Sequence, residues 1–544
     1  MKKLFTLLLT LLFLVGCAGG GNSTPTADPQ GGGDETAAKV VTIQAPTPLI
    51  SMDTAIATDG TSFSAQTMCI SGLMSLDADG NAQGDIAETY DLSDDGLTYT
   101  FHLRDAKWSN GDPVTANDFV FAWDRVVDPD TASDYSWILE TANIASYEAV
   151  DDKTLVVNLS APSGFFLGLT AFPTFFPLNQ KFFEEKGDQF ALTPNDILFN
   201  GPYKMTSWTP GYSFEFELNE DYWDAANFAA NYAPKVVFRE ITDTQTALME
   251  YEGGNLDTVA LSGEQVTANE GVPGFINKLT GYMYYLSINM GNNVHDRAGA
   301  ADLANANARQ AILYAIDREE IARVLNDGSV SAGGIIPIGL AGNPDTGKDF
   351  RDDNGVVTAY DAAKAADFYK KAAEEVGHDI VIELLYGTDE GDSIIKAAEQ
   401  VQSFLEDAGF TVNLNGKPKK ERLSLAGNDN DHDYDMMLTR WGPDYGDPQT
   451  YMDLFVSTNT SNNDGGYKSD VYDGLVADAE RGAGATDPAV RWQNFLNAEK
   501  TLVVDDAAVV PVFQAGGAMI INPNISGIEF HSASVDSYRH IVVK

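Results

Sequence analysis

At 544 residues, with 44% hydrophobic and 10% aromatic side chains, the chain has the apolar content of a folded protein and is too long for a single core. Its 80 Asp and Glu against 34 Lys and Arg give a net charge of −46, which argues against nucleic acid and anionic membrane surfaces as partners, because phosphate contacts need a basic face. Two cysteines and six scattered histidines offer no disulfide framework and no metal cluster; no metal and no cofactor are expected.

The N-terminus reads as a secretory signal: Met1-Lys2-Lys3, then an apolar run from Leu4 to Val15, too short to span a bilayer as a mature helix. It ends Leu14-Val15-Gly16-Cys17, which resembles the bacterial lipobox, so Cys17 is the expected lipidation site and its acyl chains the expected membrane anchor. Residues 18–38 are rich in Gly, Ser, Thr, Pro and Asp and read as a flexible tether. The other cysteine, Cys69, reads as a small buried apolar residue rather than a nucleophile.

Val40-Val41-Thr42-Ile43 is a first strand, and Ser62 to Ser75 reads as a helix. Asp77, Asp79, Asn81 and Glu88 fall at calcium-loop positions, but the required glycine is Ala82, so an Asp-Gly turn is the preferred reading. Leu97, Tyr99, Phe101 and Leu103 alternate as in a strand with one buried face. Thr115, with Asp118 three residues on, is an N-cap for a helix running to Val127. Val236 to Ile241, Thr244 to Glu252 and Leu256 to Leu261 read as strand, helix, strand, suiting a partly parallel sheet. Tyr282 to Asn289 is an aromatic-rich strand, and residues 301–325 read as one helix with Ala311, Ile312, Ala315 and Ile316 on one face. Helices over Ala362 to Glu375 and Ser393 to Ala408, with strands over Ile380 to Tyr386 and Thr411 to Leu414, make a second α/β lobe. Asp429 to Asp433 reads as a charged loop before a strand at Tyr434 to Thr439.

After that strand comes Arg440-Trp441-Gly442-Pro443-Asp444-Tyr445-Gly446-Asp447-Pro448. Gly and Pro make the chain turn sharply there. An indole wall beside carboxylates can hold an ammonium, and hence a zwitterion such as a peptide. A surface turn with a packed Trp fits the same residues.

Several ordered segments resemble the family-5 extracellular solute-binding proteins, the oligopeptide- and dipeptide-binding subunits of bacterial ABC importers. They include Ser93-Asp94-Asp95-Gly96-Leu97-Thr98-Tyr99, Trp108-Ser109-Asn110-Gly111-Asp112-Pro113-Val114-Thr115-Ala116, Asn200-Gly201-Pro202-Tyr203-Lys204, Ala315-Ile316-Asp317-Arg318, Trp441 to Tyr445, and Val510-Pro511-Val512-Phe513. The resemblance covers the chain from about residue 40 to its end.

That resemblance implies a two-lobed α/β fold of the periplasmic-binding-protein kind, with mixed sheets covered by helices, a hinge between lobes and an extra small domain. The expected division is a signal peptide over 1–16, lipidated Cys17 and tether over 17–38, a first lobe from 39–75, 199–289 and 511–544, the small domain over 76–198, and a second lobe over 290–510. It further implies a monomeric, non-enzymatic receptor on the outer face of the membrane, binding oligopeptides in the interlobe cleft and passing them to a permease and ATPase.

Carried over residue by residue, the acid of the Trp-x-x-Asp-Tyr pattern is Asp444, expected to pair with a peptide ammonium, with Trp441, Gly442 and Tyr445 beside it. Tyr282 and Tyr284 match an aromatic strand near the cleft, with Tyr284 preferred. Tyr135 reaches in from the small domain, Phe513 stands where peptide binders often carry a tyrosine, and Arg440 is a candidate for a ligand carboxylate. The same family also takes β-glucosides or oligosaccharides, nickel or opines. From another class, a secreted hydrolase could use paired carboxylates as glycosidases do, but with 80 acids such pairs are expected by chance, and no nucleophile motif such as G-x-S-x-G appears.

Overall fold

Strand Val40–Ala45 runs parallel to Lys235–Glu240, and antiparallel Ser213–Leu218 and Tyr203–Thr209 complete a four-stranded sheet. The computed structural model describes residues 40–544 except 291–294, 341, 344–345, 428–431, 444, 460–461 and 486. The signal segment, Cys17, the tether and Asp444 lie outside the described residues. Val41, Ile43, Phe214, Phe216, Val236 and Phe238 form the apolar core of this sheet. The helix expected from Ser62 to Ser75 is Gly60–Cys69. It starts at Asp59, whose carboxylate accepts the Ser62 N–H, and stops where Ile70 turns extended, which releases Met74–Leu76 to form a strand. Cys69 is fully buried there.

The small domain is a second four-stranded sheet, ordered Ala87–Leu92, Thr98–Leu103, Thr154–Leu159, Ile144–Asp151. Tyr99, Phe101 and Leu103 point inward with Leu155, Val157 and Leu159, the alternation a half-buried strand requires. Helix Ala116–Val127 covers them with Phe119, Ala122, Trp123 and Val126. At its start the Asp118 carboxylate accepts the Thr115 N–H at 2.9 Å and the Trp108 indole N–H at 3.2 Å, so the cap also ties down the preceding turn.

A larger mixed sheet orders Thr258–Leu261, Val509–Ile521, Phe275–Ile288, Met436–Trp441, Val381–Gly387 and Thr411–Lys417, with Val330–Ser331 beside Val509–Ile521. Its two long strands, Phe275–Ile288 and Val509–Ile521, are antiparallel partners that run through two cores. At one end Ala518 and Ile520 pack with Val259 and Phe275. At the other, Met283 to Ile288 and Val509 to Phe513 belong to the core of the second lobe. Between them the register slips, from Leu279 opposite Gly516 to Met283 opposite Gln514. The bulged residues, Thr280-Gly281-Tyr282, therefore sit where the sheet leaves the first lobe for the second. The last strand, Val542–Val543, pairs with Ile525–Ser526.

One expectation is corrected. Residues 301–325 are not a single helix but part of three, Ala298–Leu303, Ala306–Ala315 and Arg318–Leu325. Asn305 and Asp317 break the run because each cap side chain takes backbone N–H groups of the next turn, at 2.8 Å and 3.0 Å. Asp77 likewise closes its own turn, accepting the Asp79 and Asn81 N–H groups at 3.0 Å and 2.9 Å. Among the described residues, no helix is long and apolar enough to cross a membrane.

Candidate functional site

Strand Met436–Trp441 lies against Phe275–Ile288, with Trp441 opposite Met283 and Arg440 opposite Tyr284. The turn Gly442-Pro443 then leaves the sheet beside the bulge. Gly442 is needed for this approach: a Cβ there would stand 2.7 Å from Tyr282 Cδ1, well inside contact distance. Gly281 is equally tight, its missing Cβ falling 2.5 Å from Pro443 Cδ.

Here the molecule has a cavity of about 510 Å³. Tyr282, Trp441, Gly442 and Pro443 form one wall. The rest of the lining comes from the loop Gln44 to Thr47, the start of helix Gly60–Cys69, Tyr135 and Phe172 of the small domain, and the C-terminal loop with His531, Val535, Asp536 and Tyr538. Tyr135 is held edge-on to Phe63, with centroids 5.7 Å apart, and packs on Phe172. Lys278 and Asp536 pair within the cavity, so its strongest charges are neutralised in place. A second cavity, of about 540 Å³, shares Phe172, His531, Ser532 and Ser534 with the first and adds Phe165, Gly339, Tyr445 and Gly446. The loop 531–534 thus stands between two chambers of one cleft.

The candidates divide accordingly. Tyr135, Tyr282, Trp441 and Gly442 come together around the first chamber. Tyr445 lines the second. Tyr284 and Phe513 do not line either: they stack on each other, centroids 4.3 Å apart, inside the core of the second lobe. Burial pushes the Tyr284 phenol above its ordinary range, partly offset by Arg440. Arg440 donates to the Tyr284 hydroxyl at 2.9 Å and lies 4.6 Å from the Tyr282 ring centre, so its planar cation is aimed along the aromatic strand. Asp444, between Pro443 and Tyr445 in sequence, is outside the described residues.

Sequence reasoning missed Phe63, Phe172, Lys278 and the loop His531 to Tyr538. Each is unremarkable in its local context, and only the fold brings them to one place. The cavity also holds a serine, a histidine and an aspartate close in sequence, but they are not arranged for nucleophilic chemistry. Both His531 ring nitrogens face carbonyl oxygens, of Val535 and Asp77, each at 2.8 Å. The Ser532 hydroxyl donates to the Gly339 carbonyl at 2.6 Å, so no base is presented to it.

The family model of bacterial extracellular solute-binding proteins, family 5 (middle region), matches residues 81–463. The chain is 32% identical over 524 residues to a dipeptide-binding protein of Lactococcus lactis subsp. cremoris, covering 91% of this chain and 93% of the relative. It is 29% identical to the oligopeptide-binding protein OppA of Bacillus subtilis, over 97% of both. Among solved structures, Listeria monocytogenes OppA bound to peptide superposes with a TM-score of 0.72 at 32% identity, covering 94% of this chain and all of that one.

Proposed function

Because the chain belongs to family 5 of the bacterial extracellular solute-binding proteins, we propose that it captures peptides between its lobes and hands them to an ABC permease and its ATPase. The observation that carries this reading is the two-chambered cleft, walled by Trp441 and Tyr282 from one lobe and by Tyr135 and Phe172 from the small domain. Relatives named for dipeptide and oligopeptide binding align along nearly the whole chain. A cleft of this volume with mixed aromatic and polar walls can hold an extended backbone by hydrogen bonds while side chains enter wet pockets, which gives affinity without strict sequence preference.

In this reading Asp444 pairs with the peptide's α-ammonium, supported by its place directly after Pro443, which lines the chamber. Trp441 and Tyr282 wall the adjoining residue, and Arg440, which lines neither chamber here but lies over the Tyr282 ring, is the candidate for a ligand carboxylate. The bulge at Thr280-Gly281-Tyr282, on strands shared by two cores, is the place where backbone can absorb a closing rotation. The protein binds without turnover, is tethered outside the cell through a lipid on Cys17, and acts as a monomer.

Calorimetry and thermal shift with di- to octapeptides, N-acetylated controls, cellobiose and nickel test the reading. A peptide at a hundredfold excess over its Kd is expected to stabilise the fold by about 2.7 kcal/mol. Equal binding of free and acetylated peptides would remove Asp444 from its role. A response to cellobiose or nickel alone would replace the peptide by another solute of the family, and peptide turnover would overturn the non-enzymatic reading.

A further inference from the structure

The turn after Trp441 reaches beyond its own lobe. Tyr445 is only 5% exposed, yet the apolar cluster it joins is that of the small domain, with Phe165, Phe166 and Leu169. Its ring lies flat on Phe165, 4.0 Å between centroids and 14° between planes. The residue before Phe165, Gly164, faces a second flat group. A Cβ at Gly164 would stand 3.6 Å from Arg491 Nη1, so the guanidinium lies just beyond the bare glycine. Arg491, on helix Pro488–Lys500, is held rigid by two bonds to Asp447, at 2.7 Å and 2.9 Å, and a third to Gln449 at 3.1 Å. Asp447 and Gln449 directly follow Tyr445 in the same turn, so the turn and the helix present one preorganised face to Gly164-Phe165.

We propose that Phe165 and Tyr445 form a clasp that holds the small domain against the second lobe, making Tyr445 a positioning residue that acts by closing the cleft. The two rings belong to parts of the molecule joined covalently only through other elements, and the clasp requires that their stack persist in the closed cleft and part when the lobes move away from each other. Whatever free energy the stack contributes belongs to the closed state alone and shifts the population toward it. A solute then binds a chain already more often closed, and its apparent affinity rises by that shift in addition to any contact it makes with the two rings where they line the second chamber. The clasp depends on the two-lobed fold and is independent of which solute the cleft takes.

The test compares the full-length protein with Phe165→Ala, Tyr445→Ala, the double substitution and Tyr445→Phe. Small-angle scattering of the unliganded chains is expected to show a larger radius of gyration for each alanine variant, with the double no larger than either single. Tyr445→Phe keeps the ring but loses the hydroxyl's bond to Asp453 at 3.4 Å, and is expected to match the parent in radius of gyration. With free-ended tetra-alanine as probe, each alanine variant is expected to bind about tenfold more weakly, the loss of a buried aromatic pair, and the double variant no weaker than the singles. If an alanine variant fails to fold, Phe165→Leu and Tyr445→Leu, which keep an apolar side chain but no stack, carry the same comparison. An unchanged radius in folded variants overturns the clasp. So does additive loss of affinity, or a loss confined to Tyr445 variants, which would make Tyr445 a ligand contact. If the parent does not bind tetra-alanine, the peptide reading suffers and the scattering alone decides the clasp.

Discussion

Replacing Gly281 by alanine places a methyl group where the long strand Phe275–Ile288 bulges against the Gly442-Pro443 turn. The new carbon would lie 2.5 Å from Pro443 Cδ and inside contact with the Ser532 carbonyl oxygen. Carbon atoms settle at about 3.5–4.0 Å, so the turn and the C-terminal loop must retreat by about 1 Å. Neither neighbour is a flexible side-chain tip, because one is a proline ring and the other backbone. Overpacking of this kind costs about 1–3 kcal/mol. If the cost falls on the closed arrangement, binding weakens about 5- to 150-fold. If it falls on every state of the fold, the melting temperature drops and affinity follows only in part. Calorimetry for affinity and differential scanning for melting separate the two. A Gly281→Ala protein that matches the parent in both would refute the tight packing of the bulge against Pro443 and Ser532.

Burial and the neighbouring Asp453 push the Glu480 carboxyl from 4.5 up to about 9. The folded chain then keeps a proton that the unfolded chain releases above about pH 4.5, so this group lowers stability progressively between about pH 4.5 and 9. Glu480→Gln is expected to leave melting at pH 4 unchanged and raise it at pH 8, read by a pH series of thermal scans. Asp447→Asn strands the Arg491 guanidinium, 10% exposed, without its carboxylate; a loss of about 3–5 kcal/mol is expected in denaturant titration, smaller when Arg491→Met is added. Asp317→Ala removes a cap that accepts the Glu320 N–H at 3.0 Å and is expected to cost about 1 kcal/mol, measured the same way, with ligand affinity unchanged.

The local periods of the chain translated well into elements. Helix Thr244–Glu252 occurs with the bounds its pattern suggests, ended by Gly253, because capping and termination are decided by residues within one turn. The fused reading of residues 301–325 failed for the same kind of reason. Asn305 and Asp317 have side chains that compete for backbone N–H groups, and an apolar face that continues past them does not reveal the competition. The two-lobed architecture was legible through the ordered family segments rather than through periodicity, since strand order in the large sheet depends on pairings between distant stretches.

The site shows the boundary most clearly. Alternation alone puts Tyr282 and Tyr284 on one face of their strand, and composition alone makes both plausible ligand contacts. What alternation does not contain is what covers each ring. Phe513 stacks on Tyr284 from the neighbouring strand and leaves it 6% exposed. Two residues earlier its own strand bulges out of register with the partner, Gly442 leaves room, and Tyr282 stays 44% exposed in the cleft. The Trp441-to-Tyr445 turn was likewise readable as an aromatic and acidic bend. Its division of labour was not, because Trp441 faces one chamber while Tyr445 packs into the core of another domain. Residue identity and spacing determine which groups are available and which way they first point. Burial, register and the approach of distant chain segments decide which of them meet a solute, since those are properties of the packed whole and of no single stretch.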